Sequence, residues 1–329
     1  MRNSQLMTRV LSKAQVGRFI EMETTVDAVE DAFRRHGDEL VPERIQLKQP
    51  HGETFVMPGV LGHTETMGVK VVTIYPGNDD HGIERSLGTI LLHDNDTGEL
   101  TAVMDGTHIT NYRTGAIGAV AARHLAPTNS TTVGIIGSST QARYQALALD
   151  TELDLETVRF YSRSAQNEAA VEALQSETEA TLQAASSAAA ACDGADIIVT
   201  ATNSPTPVFP ATAAQNAVLV IGVGSNDPTM REIPGAIIER GGRVYVDNYD
   251  QCLPVGDIAD AIDEGQLSTA DVVPFGILLA DDSPSPPSET VVVKSVGSIV
   301  FDIQTATRLL ETAMDADVGS DIDLQGTGR

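Results

Sequence analysis

The stretch Thr132-Val-Gly-Ile-Ile-Gly-Ser-Ser-Thr-Gln-Ala142 joins a short β-branched run to a glycine-containing turn, and a helix-forming segment follows directly. In such a context the pyrophosphate of a dinucleotide lies at the helix N-terminus. The turn reads Gly137-x-Ser139-x-x-Ala142, whereas the usual pattern is Gly-x-Gly-x-x-Gly/Ala. Serine at the second position crowds a pyrophosphate slightly but adds a hydroxyl donor. The turn alone is equally consistent with a dinucleotide site and with an ordinary connection between a strand and a helix.

Further apolar runs follow this turn at the spacing that repeated strand–helix units need. They cover residues 158–162, 195–202, 217–224 and 244–247. Short apolar runs that alternate with helical segments predict a parallel, doubly wound sheet. We therefore expect an α/β fold with a Rossmann nucleotide-binding domain in mid-chain.

The composition disfavours several classes of protein. The chain has 329 residues and a formal net charge of −25, which disfavours binding to nucleic acids and to anionic membranes. Its apolar runs are too short to span a membrane, and the N-terminus lacks the apolar core of a signal peptide, so we expect a cytoplasmic protein. Cys192 and Cys252 have no metal-ligand spacing. We expect both to be small buried residues in a reducing compartment, and we predict no metal site.

The basic residues are strongly skewed, with seventeen arginines and four lysines. Abundant Asp and Glu with little Lys is typical of a protein that works in concentrated salt. We therefore hypothesise a cytosolic protein of a salt-accumulating halophile. The alternative is an ordinary acidic protein.

Lys70 stands out in so lysine-poor a chain, because it lies in the apolar segment of residues 67–74. Lysine is rarely buried unless it is paired or functional, and its pKa falls readily when it is buried. The alternative is an edge-strand lysine that protects the sheet from aggregation.

The remaining segments predict a second domain around the first. An antiparallel sheet with small loops is consistent with the first 105 residues, with one strand ending at residues 55–58 and an Ala-rich helix opening at Thr110. Residues 298–310 have a helical pattern and are expected to pack back on this domain. Residues 281–290 predict an exposed loop, and we expect the polar tail from Gly319 onward to be frayed.

Short motifs in a fixed order run through nearly the whole chain. They are Pro42-Glu-Arg44, Gly68-Val-Lys70-Val-Val, Pro76-Gly-Asn78, Met104-Asp-Gly106, Arg113-Thr-Gly-Ala116, Ala121-Ala-Arg-His-Leu125, Ile136-Gly-Ser-Ser-Thr-Gln-Ala-Arg143, Gly194-Ala-Asp-Ile197, Gly222-Val-Gly-Ser-Asn-Asp227 and Lys294-Ser-Val-Gly297. With these motifs the chain resembles the ornithine cyclodeaminase/mu-crystallin family, which includes archaeal alanine dehydrogenases and ketimine reductases. It departs from the family at Ser139, where glycine is usual.

The resemblance implies two domains. Residues 1–114 together with 296–329 would form an α/β domain that binds the substrate and dimerises. Residues 115–295 would form a Rossmann dinucleotide-binding domain inserted into it. The expected partners are a small amino or imino acid and a second copy of the chain in a homodimer.

The resemblance also implies the substrate-binding residues. Arg44 and Arg113 match the family's carboxylate-binding positions, and guanidinium groups bind carboxylates in a planar, two-pronged way. The alternative for each is a solvated surface arginine. Met57 and Lys70 complete the implied set. Beside such arginines Lys70 would have a depressed pKa, which suits it to exchange a proton with the substrate or a bound water.

Asp227 is the second catalytic candidate beside Lys70. It follows Gly222-x-Gly224 at the carboxyl end of a predicted strand, where ligands of open α/β sheets bind. The family places a catalytic carboxylate at this position. The alternative is a turn Asp before Pro228.

The cofactor-binding residues that the resemblance implies lie at the domain boundary or at the ends of predicted strands. They are Arg113, Thr114, Gly137, Ser138, Ser139, Thr140, Gln141, Ser162, Arg163, Ser164, Ala201, Thr202, Gly222, Val223, Gly224 and Ser295. An NAD enzyme usually has Asp or Glu at the end of the second strand for the ribose diol. Here Arg163 lies between two serines, which suits a 2′-phosphate and favours NADP over NAD. The alternative is that Arg163 stacks on the adenine or faces solvent.

The implied function is an NAD(P)-dependent oxidoreductase that moves hydride between nicotinamide and the α-carbon of a small amino acid or cyclic imino acid. Alanine dehydrogenases and ketimine or pyrroline-carboxylate reductases do this. An ornithine cyclodeaminase uses the same hydride step without net oxidation and releases ammonia. We favour the redox enzyme, because the chain has no clear extra acidic motif for a side-chain amine. A non-catalytic small-molecule binding protein is a third alternative, which the presence of Lys70 and Asp227 disfavours.

Overall fold

The structure is a computed structural model that describes residues 7–35, 37, 39–62, 66–164, 167–280 and 289–324. The chain divides into two compact units. The first comprises the residues up to Arg113 and those from Ser298 onward, and the second is Thr114–Gly297. The predicted boundaries lie within two residues of these divisions. The roles of the two domains stay predictions.

Within the described residues the strands are β1 (Thr8–Leu11), β2 (Glu39–Leu40), β3 (Ile45–Gln49), β4 (Gly52–Leu61), β5 (Thr66–Ile74), β6 (Ser86–Asp94), β7 (Leu100–Asp105), β8 (Thr132–Ile136), β9 (Thr157–Tyr161), β10 (Thr181–Ala184), β11 (Ile197–Thr200), β12 (Leu219–Gly222), β13 (Val244–Val246), β14 (Val272–Pro274), β15 (Val291–Lys294) and β16 (Ser320–Ile322). The helices are α1 (Lys13–Phe19), α2 (Met22–Arg34), α3 (Gly106–Leu125), α4 (Thr140–Glu152), α5 (Asn167–Leu174), α6 (Ala188–Cys192), α7 (Gly235–Gly241), α8 (Tyr249–Cys252), α9 (Gly256–Asp263), α10 (Phe275–Leu279) and α11 (Ile299–Asp315).

The first unit is built on a mixed sheet. Its strand order is β16-β1-β7-β6-β5-β4-β2, and β3 also pairs with β4. The pairs are antiparallel except β1 with β7, which is parallel. The prediction of an antiparallel sheet with small loops over the first 105 residues was therefore wrong at its start. There α1 and α2 follow β1, and the chain runs on through β2 to β6 before β7 pairs with β1 in parallel.

Helix α11 packs on this sheet because two glycines give it room. A Cβ on Gly59 of β4 would overlap the Ile299 side chain, and a Cβ on Gly68 of β5 would lie 2.6 Å from Cγ1 of Ile303. Ile299 and Ile303 are fully buried in the core of this unit. The helix predicted for residues 298–310 thus exists and packs on the first unit, as expected. The close approach brings the first turn of α11 to β5.

Strand β4 continues through Pro58, where the sequence predicted a strand end. Pairing of β4 with β3 reaches Val56, and pairing with β2 begins at Val60. At Pro58 β4 therefore has only β5 as a neighbour, and a residue without an N–H is tolerated where a ladder bond is not needed.

Two other segment ends also differ from the prediction. Helix α3 begins at Gly106, not at Thr110, and a carboxylate oxygen of Asp105 accepts the backbone N–H of His108 at 3.0 Å. The tail is not frayed at residues 320–322, because β16 pairs with β1. Most of the predicted loop at residues 281–290 and the last five residues of the tail lie outside the described residues.

The second unit contains a parallel sheet with the order β10-β9-β8-β11-β12-β15-β13-β14. Strands β11, β12 and β15 are buried along their whole length. Such strands read as continuous apolar runs, which is why the sequence predicted them. The α/β fold with a doubly wound parallel sheet is confirmed. The strand order reverses between β8 and β11, and open α/β sheets bind ligands at such a switch point.

Candidate active site

Lys70 lies on β5 inside the first unit and is only 1% exposed. Strand β5 pairs with β4 on one side and β6 on the other, so the edge-strand alternative is wrong. Its Nζ donates to Oδ2 of Asp302 at 2.6 Å and lies 3.5 Å from Oγ1 of Thr110. Lys70 is therefore a buried, paired lysine.

Asp302 is the residue that sequence reasoning missed. It lies in the first turn of α11 and is 0% exposed. While Oδ2 binds Lys70, Oδ1 accepts from Nε of Arg113 at 3.3 Å and lies 3.5 Å from Oγ1 of Thr110. One carboxylate thus holds both cations. The available signal was a lone Asp in the apolar run Ile299-Val-Phe-Asp-Ile303.

The surroundings lower the pKa of Lys70 to about 8. Burial is the largest cause, because it disfavours the charged ammonium. The positive charges of Arg113 and Arg44 act in the same direction, whereas the carboxylate of Asp302 raises the pKa. Lys70 can therefore gain and lose a proton near neutral pH.

The other predicted substrate-binding residues lie in the same unit. Arg113 is 6% exposed, so it is not a solvated surface arginine. Arg44 is half-buried just before β3, and its guanidinium carbon lies 5.9 Å from the centroid of the Phe55 ring. Met57 is buried on β4 directly opposite Lys70 of β5. The first unit thus joins Lys70, Arg113 and Met57 in its buried interior, with Arg44 close enough to influence Lys70 electrostatically.

In the second unit the predicted phosphate turn follows β8. Gly137 has φ +139°, and a Cβ there would lie 2.6 Å from the carbonyl oxygen of Ala201. Ser139 is the N-cap residue of α4, which Thr140 and Gln141 open. The Ser139 hydroxyl donates to the Ala201 carbonyl at 3.3 Å. The turn therefore requires glycine at position 137, and serine at 139 is accommodated by a hydrogen bond to the neighbouring strand end.

Three serine hydroxyls meet at the ends of β8 and β9. Ser162 lies 2.9 Å from Ser138 and 2.7 Å from Ser164, and Ser138 lies 3.3 Å from Ser164. Arg163, between the two later serines, is exposed. The cluster combines hydroxyl donors with one cation, which is the chemistry that a phosphate needs.

The remaining cofactor candidates lie after β11, β12 and β15. Thr202 donates from its N–H and its hydroxyl to Glu232, and Gly224 donates its N–H to the same carboxylate. Ser295 is buried; its hydroxyl donates to Asp247 at 2.7 Å and its N–H to the Gly222 carbonyl at 2.9 Å. Gly222 is the last residue of β12, and Val223 and Gly224 follow it directly.

Thr114 lies at the start of the second unit. It is buried, and its carbonyl accepts from the side chain of Gln145 at 2.6 Å.

Asp227 is half-buried after β12. Its Oδ1 accepts from the N–H of Thr229 at 2.9 Å and from the Thr229 hydroxyl at 2.7 Å. These are the contacts of a turn Asp, as the structural alternative predicted. A catalytic role for Asp227 stays a prediction.

Across the part of the chain that the structure describes, no group of three or more His, Cys, Asp or Glu residues could hold a metal ion. Cys192 and Cys252 are buried free thiols, and burial raises the pKa of Cys192 to about 12. None of the described helices is long and apolar enough to cross a membrane.

Comparison with known sequences gives a consistent set of relatives. The model of the ornithine cyclodeaminase/mu-crystallin family matches residues 7–317. Delta(1)-pyrroline-2-carboxylate reductase of Bacillus cereus is 34% identical over 288 residues, which cover 86% of this chain and 88% of the relative. Alanine dehydrogenase of Archaeoglobus fulgidus is 30% identical over 321 residues, which cover 96% of this chain and 98% of the relative.

Solved structures with the same fold include a reductase, a dehydrogenase and a cyclodeaminase. Thermococcus litoralis Delta(1)-pyrroline-2-carboxylate reductase in complex with NADH and L-proline has a TM-score of 0.89 and 29% identity, covering 96% of this chain and all of that one. An archaeal alanine dehydrogenase dimer with bound NAD has a TM-score of 0.88 and 30% identity, covering 97% and 99%. A lysine cyclodeaminase has a TM-score of 0.83 and 29% identity, covering 97% and 96%.

Proposed function

Because the chain belongs to the ornithine cyclodeaminase/mu-crystallin family, we propose that it is an NAD(P)-dependent oxidoreductase acting on a small amino acid or cyclic imino acid. The family resemblance seen in the motifs is confirmed, and so is the prediction of an enzyme. The observation that carries the proposal is the buried cluster of Lys70, Asp302 and Arg113. A lysine with its pKa lowered to about 8 beside a buried arginine combines a proton-transfer group with a carboxylate-binding group.

Each residue of this cluster has a distinct role in the proposal. The guanidinium groups of Arg113 and Arg44 bind the substrate α-carboxylate. Lys70 Nζ donates a proton to an imine nitrogen in reduction and accepts one from an ammonium in oxidation, directly or through a water. Asp302 fixes the position of Nζ and stabilises its charged form. Nicotinamide, when bound, supplies or accepts the hydride at C4.

Asp227 is proposed as the second catalytic residue. Its place after β12, at the carboxyl edge of a parallel sheet, supports this role. There it would accept a proton from the substrate amine or orient a water.

The dinucleotide is proposed to bind at the switch point of the second unit. The turn at Gly137 and the N-terminus of α4 are suited to the pyrophosphate. The serines at 138, 162 and 164 with Arg163, and the lack of a carboxylate at the end of β9, support a 2′-phosphate and hence NADP. The solved relatives carry NADH and NAD, so NAD is the alternative.

The redox reaction is favoured over cyclodeamination. The pyrroline-carboxylate reductase and the alanine dehydrogenase are relatives over most of their length, which supports a dehydrogenase or imine reductase. The lysine cyclodeaminase similarity keeps cyclodeamination as the second candidate. The paired, buried state of Lys70 argues against a non-catalytic binding protein.

We also propose a cytoplasmic homodimer adapted to high salt. Leu40, Ile45 and Leu47 are exposed on β2 and β3 and form an apolar surface that a second copy would cover. One of the solved relatives is a dimer. Of the four lysines, Lys70 and Lys294 are buried in ion pairs, so the surface cations are almost all arginines.

The test is an activity panel in molar KCl. Purified protein is assayed with amino acids and cyclic imino acids, each with NAD(H) and NADP(H), by nicotinamide absorbance. Ammonia release without a change in absorbance would identify a cyclodeaminase. No turnover with any substrate, from a folded protein that binds cofactor, would contradict the proposed function.

A further inference from the structure

Glu232 is a fully buried carboxylate in the second unit that the proposed chemistry does not use. It lies between β12 and α7 and is 0% exposed. Oε1 accepts the N–H of Thr202 at 2.6 Å and its hydroxyl at 2.8 Å. Oε2 accepts the N–H groups of Gly224 and Ser225, both at 2.8 Å. Four donors from two separate loops therefore meet on one side chain.

These loops follow the neighbouring strands β11 and β12, which end at Thr200 and Gly222. They also touch each other, since a Cβ on Gly224 would overlap the backbone of Thr202. One carboxylate oxygen of Glu232 binds the loop after β11 and the other binds the loop after β12. Glu232 therefore fixes the distance between the two loops and the direction of their N–H groups.

Two further buried charges hold Glu232 in place. Oδ1 of Asp257 accepts the N–H groups of Glu232 at 2.7 Å and Ile233 at 2.9 Å. Nζ of Lys294 lies 3.3 Å from Oδ2 of Asp257 and 3.4 Å from the carbonyl oxygen of Gly222. Asp257 and Lys294 are also 0% exposed. Burying three charges is costly, so this cluster is weak evidence of a role in stabilising the fold.

The anionic form of Glu232 depends on these partners. Burial raises its pKa, and Asp257 acts in the same direction, whereas Lys294 and the hydrogen bonds from Ser225 and Thr202 lower it. Replacing the carboxylate by a carboxamide would leave one acceptor oxygen for four donors. The amide nitrogen would then face N–H groups on one of the two loops.

The sheet topology indicates which half of a dinucleotide these loops serve. In doubly wound folds the two nucleotide halves lie on opposite sides of the switch point, with the pyrophosphate at the first turn. The turn at Gly137 and strand β9 lie on one side, and β11 and β12 lie on the other. The four hydrogen bonds that Glu232 accepts all come from the second side.

We propose that Glu232 is a positioning residue that fixes the loops after β11 and β12 for the nicotinamide half of the cofactor, supported by Asp257 and Lys294. This inference rests on the proposed function. It gives the buried cluster a role in cofactor geometry, whereas a purely structural cluster would affect all ligands of the unit alike.

The experiment measures dissociation constants for the reduced dinucleotide that the wild type binds more tightly, NADH or NADPH, and for ADP. ADP contains only the adenosine half and the phosphates. The proteins are the full-length wild type, Glu232→Gln, and Glu239→Gln as a matched control. Glu239 carries the same side chain on the exposed face of α7 in the same unit. Thermal unfolding checks that each variant is folded.

For Glu232→Gln we expect at least about tenfold weaker dinucleotide binding, while the ADP constant stays within about twofold and Glu239→Gln behaves as the wild type. Unchanged dinucleotide binding, or equally weaker binding of the dinucleotide and of ADP, would overturn this inference but not the proposed function. Wild-type protein that binds neither dinucleotide would overturn the proposed function with it. If Glu232→Gln does not fold, Glu232→Asp, which keeps the charge but not the reach, takes its place with the same expectation. Failure of both to fold would make Glu232 a folding residue and reject the inference.

Discussion

Replacing Asp302 by Asn removes the charge nearest to Lys70 while keeping the side-chain shape. The carboxylate oxygen lies 2.6 Å from Nζ, and both residues are shielded from solvent. With an effective dielectric constant of about 20, the attraction at this distance is about 6 kcal/mol. One pKa unit corresponds to about 1.4 kcal/mol. Loss of even a quarter of the attraction therefore lowers the pKa of Lys70 by at least about one unit from its value of about 8.

Reduction and oxidation need opposite protonation states of Lys70, and this decides how the pH dependence of each reaction shifts. Reduction of an imine requires protonated Lys70, so wild-type kcat/KM, which reports the pKa values of the enzyme without substrate, falls as pH rises through about 8. In Asp302→Asn this loss of activity at high pH occurs at a lower pH. Oxidation requires neutral Lys70, so its loss of activity at low pH also moves to a lower pH.

The assay is kcat/KM for the substrate against pH, measured for reduction and for oxidation at saturating cofactor. Asp31→Asn is the matched control, because Asp31 forms only a partly exposed ion pair with Arg308 in the same unit. A folded Asp302→Asn enzyme whose pH profiles for reduction and oxidation match those of the wild type would refute the role given to Asp302. A shift that Asp31→Asn reproduces would refute it as well.

Three other predictions concern the substrate, the cofactor and salt. Arg113→Ala should raise KM for the accepted acid by about ten- to a hundredfold, since a carboxylate loses a charged partner; an unchanged KM would exclude Arg113 as a carboxylate-binding group. Arg163→Asp should shift the ratio of kcat/KM from NADP toward NAD, because the new charge repels a 2′-phosphate and suits a free diol; a constant ratio would rule out Arg163 as the specificity residue. Raising KCl from about 0.1 M to 1 M shortens the screening length from roughly 10 Å to 3 Å, so for a chain of net charge −25 the melting temperature and the dimer fraction in sedimentation should rise, with NaCl as control. A melting temperature that stays flat or falls would reject adaptation to salt.

Local patterns predicted the parts of this protein whose causes are local. The turn at Gly137 requires a backbone that glycine adopts readily, and the buried parallel strands require continuous apolar runs. Both features could therefore be predicted from the sequence. The position of Lys70 in an apolar segment was also recognisable from the sequence, because burial of a lysine is costly and therefore rare.

Long-range contacts account for what sequence reasoning missed. Asp302 lies 232 residues after Lys70, and no spacing rule connects a strand lysine to an aspartate on a distant helix. Glu232 is similar, because its donors belong to two loops that only the sheet brings together. The parallel pairing of β1 with β7 is also a long-range contact, because α1, α2 and strands β2 to β6 separate the two strands in the sequence.

The central claim is that Lys70 transfers the proton, and it is tested most directly by kcat and cofactor affinity of Lys70→Ala. Lys13→Ala is the control, because Lys13 lies at the start of α1 in the same unit with about half of its side chain exposed. We expect Lys70→Ala to lose nearly all turnover while its dissociation constant for the cofactor stays close to that of the wild type, and Lys13→Ala to match the wild type in both. A folded Lys70→Ala enzyme that keeps more than about a tenth of wild-type kcat, a barrier increase of under about 1.4 kcal/mol, would contradict the claim.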